Sequence, residues 1–169
     1  MLNEVNGLPT HILLVHAVVV LIPLAGLLTV LAAVWPAARR RLGIITPLVA
    51  LAALIVVPLA TEAGEWLQAR VRMTPLISEH IELGDTMLWF AVALFVVALI
   101  AWGLPTAVVK STGRPPAPWL GVVIAILAVV VAGAATFQVV RVGEAGSRAV
   151  WEGSFCSVPL DSAGTCPAS

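Results

Sequence analysis

Four stretches of this chain contain no Asp, Glu, Lys or Arg: Val5 to Ala38, Leu42 to Thr61, Thr86 to Val109 and Pro115 to Val140, of 34, 20, 24 and 26 residues. Each is long enough to cross a bilayer, which takes about 20 helical residues. The runs are continuous Leu, Val, Ala and Ile rather than short alternating segments, so they suit helices and not a closed strand barrel. At 60% apolar and 11% charged the chain lies well outside soluble domains, which are about half apolar and about a quarter charged. The 65 residues outside the runs are too few for a soluble catalytic domain. The expected class is therefore an all-α integral membrane protein, a four-helix up-and-down bundle over residues 1–150 followed by a tail over 151–169. The lipid bilayer is its expected surrounding, a homo-oligomer is open, and no nucleic-acid partner is expected.

Charge sets the expected orientation. The connection between runs one and two carries Arg39, Arg40 and Arg41, that between runs three and four carries Lys110 and Arg114, and neither contains an acid. All nine acids fall in the N-terminal stub, the middle connection or the tail, alongside four arginines. Basic residues near helix ends are retained in the cytoplasm, which places both termini on the outer side of the cell membrane. The first ten residues hold no Lys or Arg and do hold Glu4, unlike a signal peptide. Cys156 and Cys166, with nine residues between them in the outward tail, read as a disulfide in an oxidising compartment.

Helices are expected over roughly 9–38, 47–70, 75–104 and 118–148. Thr46-Pro47 and Thr74-Pro75 each place a hydroxyl N-cap before a proline suited to the first helical position. Helices in lipid associate through close backbone approach, so small residues mark packing faces. On helix four these are Gly121, Ala125, Ala128, Ala132 and Ala135; on helix three the stripe His80, Gly84, Met87, Ala91, Leu94, Ala98, Ala101; on helix one His16, Pro23, Gly26, Ala33. On helix two the expected face is Glu65, Thr61, Pro58, Leu54 and Leu51.

Counting from the cytoplasmic helix ends, His16, Glu65, His80 and Gln138 lie 22, 21, 24 and 20 residues along, or about 30 to 36 Å at 1.5 Å per residue. One polar side chain per helix thus reaches a common level at the outer boundary. His16, Glu65 and His80 are a candidate first shell for zinc, copper or iron. His16 and His80 alone are candidate axial ligands of a haem b held between helices. Glu62, Gln138, Glu144 and His11 stand nearby, with His11 turned about 140° from His16 and left at the mouth. A purely structural layer is equally open, with Glu62 or Glu65 pairing Arg70, Arg72 or Arg141, and Glu144 laddered between Arg141 and Arg148. No charge falls at mid-membrane, which argues against a transporter.

The segments GLPTHILLVH, ATEAGEWL, EHIELGDTMLWF and RVGEAGSRAVW resemble actinobacterial members of the bacterial four-helix membrane family known as domain of unknown function 2231. The resemblance covers nearly the whole chain up to Trp151. It implies a layout similar to small membrane cytochromes and a redox setting, since some relatives are joined to Rieske-type or c-type haem domains, and it carries over His11, His16, Glu65 and His80. Many relatives have Gly-His-x-Gly where this chain reads Gly143-Glu144-Ala145-Gly146, so one candidate imidazole is absent here. Two functions follow as expectations: a cofactor-bearing membrane protein that passes electrons to a membrane or exported redox protein, or a non-enzymatic scaffold whose polar layer fixes helix register.

The orientation is checked by cysteine tags at Gly113 and Ala168. An impermeant reagent applied to intact cells should label the second and leave the first unmodified; labelling at Gly113 would reverse the assignment.

Overall fold

The computed structural model describes residues 3–153, so Cys156 and Cys166, with their expected disulfide, lie outside the described residues. The chain opens with a small hairpin, β1 (Glu4–Val5) and β2 (Leu8–Pro9), turned by Asn6 and Gly7 at φ 51° and 77°. A two-residue turn with both φ values positive matches the twist of the strands it joins, and Asn-Gly is the pair that tolerates it. The Thr10 amide then donates to Asn3 O at 3.0 Å, fastening the hairpin to the first helix.

Among the described residues six helices follow: α1 (Thr10–Val34), α2 (Pro36–Leu42), α3 (Ile45–Gln68), α4 (Pro75–Asp85), α5 (Met87–Thr112) and α6 (Pro118–Trp151). Four helical segments are long and apolar enough to cross a membrane: α1, α3, α4 with α5, and α6. Helix one stops four residues earlier than expected. Trp35 is extended at φ −124°, ψ 101°, the conformation that a following proline imposes, so Arg39, Arg40 and Arg41 ride on the separate α2. Helix two starts earlier than expected. Thr46 lies inside α3, fully buried, and its hydroxyl has no partner, so it is not the N-cap. Thr74 is one, accepting from the Ile77 amide at 3.3 Å.

The third span breaks between α4 and α5. Thr86 Oγ1 turns back to donate to Leu83 O at 2.7 Å, and Gln138 on α6 donates through Nε2 to Leu83 O at 3.1 Å and to Thr86 Oγ1 at 2.8 Å. Gln138 is 4% exposed. Its amide restores the hydrogen bonding that the break disturbs, as required where backbone polar groups are shielded from water.

The spans form a ring in chain order. α1 packs along α3 and α6, α5 packs along the same two, α4 lies on α6, and α1 meets α5 across the centre. The core is built largely of alanine: Ala25, Ala53, Ala98, Ala101, Ala128 and Ala135 are all at most 1% exposed. Without side-chain bulk the helices approach closely and gain dispersion contacts. The stripes on α5 and α6 are those expected from Met87 to Ala101 and from Ala128 to Ala135. The α3 face is not. Ala50, Ala53, Val57, Ala60 and Ala63 are buried while Pro58 and Glu65 are exposed, so the small-residue rule that holds on the other helices also decides this one over the proline line.

Gly26 marks a close crossing of α1 and α6, since a Cβ there would sit 3.0 Å from Ala132 Cβ. Gly26→Val should lower stability by about 1 to 3 kcal/mol through overpacking. Gly133→Ala, which would meet nothing within 4 Å, should leave stability level or slightly raised. Thermal unfolding of both variants in detergent measures the contrast.

Candidate functional site

The polar end of the bundle is organised around two imidazoles. His11 stands on the first turn of α1 and its Nδ1 donates to Ala60 O of α3 at 2.8 Å. His80 stands on α4 and its Nδ1 donates to Val142 O of α6 at 3.0 Å. A carbonyl can only accept, so the bond assigns the proton to Nδ1 in each ring. In the neutral ring Nε2 then carries the lone pair, and among the described residues no hydrogen bond to protein engages either Nε2. A histidine that binds a metal commonly donates its other nitrogen to a carbonyl in this way, which fixes tautomer and ring direction.

Each ring occupies a place where the facing helix has no side chain. A Cβ on Gly64 would lie 3.0 Å from both Cε1 and Nδ1 of His11, and a Cβ on Gly146 would lie 2.9 Å from Cε1 and 3.0 Å from Nδ1 of His80. In both cases the glycine comes four residues, one helical turn, after the carbonyl that accepts the bond. The two rings meet with centroids 6.2 Å apart and planes at 82°.

The expected metal triad is not assembled. Among the described residues no three His, Cys, Asp or Glu side chains gather as a metal-holding group. His16 is exposed and bonds its own helix, Nδ1 to Ile12 O at 2.5 Å. Glu62, Glu65 and Glu144 are exposed. Glu65 follows from the rotated packing face of α3, and Gln138 is committed to the break between α4 and α5. The partner of His80 is instead His11, which depth counting had set at the mouth. The signal for it was present in the two glycines, each preceded by Glu-Ala, at Gly64 and Gly146.

The expected ion pairs also rearrange. Arg148 pairs with Glu79 of α4 at 3.1 Å, both about half exposed, rather than with Glu144. An exposed pair of this kind contributes under about 1 kcal/mol. Arg141 Nη1 donates to Gln138 Oε1 at 3.4 Å, and Arg70 lies 3.8 Å over the Trp66 ring while donating to Trp66 O, so neither arginine serves Glu62 or Glu65.

Comparison with protein-family models, curated proteins and solved structures finds no match to this chain.

Gly146→Ala should force the His80 ring off Val142 O and cost about 1 to 3 kcal/mol. Long-range proton–nitrogen spectra of 15N-histidine-labelled protein should show Nδ1-protonated His80 in the parent and a changed signal in the variant. An unchanged His80 signal would show that the glycine socket does not hold the ring.

Proposed function

We propose that this chain is a multi-pass protein of the cell membrane, with both termini and the histidine pair on the extracytoplasmic side. The pair holds a metal centre, as a bare ion or as the iron of a haem b, that exchanges electrons with a membrane or exported redox protein. The observation that carries the reading is the matched Nδ1 bond of His11 and His80 to backbone carbonyls, with the rings 6.2 Å apart. Two imidazoles so oriented have one unspent nitrogen each, and imidazole is a good donor to copper, zinc and iron. The orientation rests on the basic connections at Arg39 to Arg41 and at Lys110 and Arg114, which lie at the opposite end from the pair.

Membership of the domain of unknown function 2231 family is part of this proposal. The four segments that carry the resemblance contain, in order, His11, Gly64, His80 and Gly146, the four parts of the paired site. A structural role is the second reading, favoured by one observation: each imidazole also joins two helices, α1 to α3 and α4 to α6.

Metal analysis and an absorption spectrum of protein purified from its native membrane decide between them. The redox reading expects one metal or haem iron per chain, lost on His11→Ala or His80→Ala. An absence of both in the native-source parent, with the variants only less stable, would leave the scaffold role.

A further inference from the structure

The two imidazole sockets are the same device built twice. His80 follows His11 by 69 positions, and each is followed by Ile; Gly146 follows Gly64 by 82, and each closes a Glu-Ala-Gly triplet. The buried faces keep those spacings. Ile22, Ala25, Thr29 and Ala32 of α1 are buried, as are Ala91, Leu94, Ala98 and Ala101, the residues 69 positions on in α5. Thr46, Ala50, Ala53, Val57 and Ala63 of α3 are buried, as are Ala128, Ala132, Ala135, Val139 and Ala145, the residues 82 on in α6. The contacts repeat as well: the first helix of each half lies between the second helices of both halves, and the two first helices meet at the centre. Both halves begin at the histidine end and return to it, the arrangement of parallel repeats about an axis along the bundle.

We infer that α1 to α3 and α4 to α6 are two copies of one helical hairpin about a pseudo-twofold axis, and that His11 and His80 form a symmetric site on that axis for one metal centre taking two protein nitrogens on opposite sides. This rests on the reading of the pair as a metal site. Equivalence of the halves limits the donor set, because a third ligand from one half would bring its counterpart from the other. The positions packed against the rings are Gly64 and Gly146, which have no donor atoms, and the equivalent Glu62 and Glu144 are both exposed. Two donors remain. Metal–nitrogen bonds of about 2 Å with ring radii of about 1.2 Å place two ligating ring centroids about 5.2 Å apart in a tetrahedron and about 6.4 Å apart when collinear. The 6.2 Å separation lies near the collinear limit. Two opposed nitrogens suit a monovalent d10 ion, copper(I) or silver(I), or the iron of a haem, whose porphyrin supplies the other four donors. They do not suit zinc(II), which wants four protein or solvent ligands.

The full chain in detergent is titrated separately with copper(I) buffered by a competing chelator under anaerobic conditions, with hemin, and with zinc(II). The expected result is one copper(I) or one haem per chain, the haem arm showing the spectrum of iron with two imidazole ligands. His11→Asn and His80→Asn keep an amide N–H at the position of Nδ1, able to donate to Ala60 O or Val142 O, and each should weaken binding by the same factor, more than the roughly 10- to 100-fold that loss of an outer-shell partner costs. Glu62→Gln and Glu144→Gln should bind as the parent does, and circular dichroism confirms that each variant is helical. Zinc(II) bound tightly through both histidines, with neither copper(I) nor haem taken up, would leave a metal site but overturn the two-donor inference. Unequal histidine variants, or a required carboxylate, would overturn the symmetry. No binding in any arm would overturn the inference and the metal reading together.

Discussion

A side chain of one helix can donate to a main-chain carbonyl of another only where the two backbones lie close and nothing stands between them. Everything distinctive at the polar end of this bundle depends on that condition. Helices in lipid gain little from hydrophobicity when they associate, so close approach has to come from small residues. Alanines such as Ala50, Ala53, Ala128 and Ala135 supply it through the bundle, and Gly64 and Gly146 extend it at the histidine end by removing the last methyl. Remove the small residues and the imidazoles lose both their acceptors and their space.

The same condition makes the site rigid. Each ring is fixed by a bond at Nδ1 and by the facing helix, and each facing helix is held to its neighbours by the alanine core. Gln138 contributes at a distance: by closing the break between α4 and α5 it sets where α4 ends and so where His80 stands. An exposed link, Arg148 to Glu79, adds little energy but lies across the same pair of helices. Ligands positioned by packed helices, rather than by loops, hold the small geometric tolerance that metal coordination demands.

The helices themselves were legible, because a charge-free run of about 20 residues admits few alternatives. Two kinds of detail were not. Trp35-Pro36 and Asp85-Thr86 divide spans that hydropathy reads as continuous, since hydropathy registers neither the extended backbone of Trp35 before a proline nor the Thr86 hydroxyl turned back to Leu83 O. The site was half legible. His80 faces α6, as the small-residue stripe of its helix predicts, but depth along the helix, which is blind to azimuth, does not find its partner. His16 has the right depth and the wrong face. The proline line of α3 turns Glu65 inward, whereas the alanines that do pack leave it exposed. His11 could have been found from azimuth and repetition, because the paired Glu-Ala-Gly triplets mark the two turns that admit a ring.

If the proposed pairing of His11 and His80 in one centre holds, X-ray absorption at the edge of any metal that co-purifies from native membranes reads it without any substitution. The expected first shell has nitrogen at about 2 Å, with outer-shell multiple scattering fitted by two imidazole rings and no sulfur or carboxylate oxygen from the protein. A shell fitted by one imidazole or none, or by carboxylate oxygens, would contradict it.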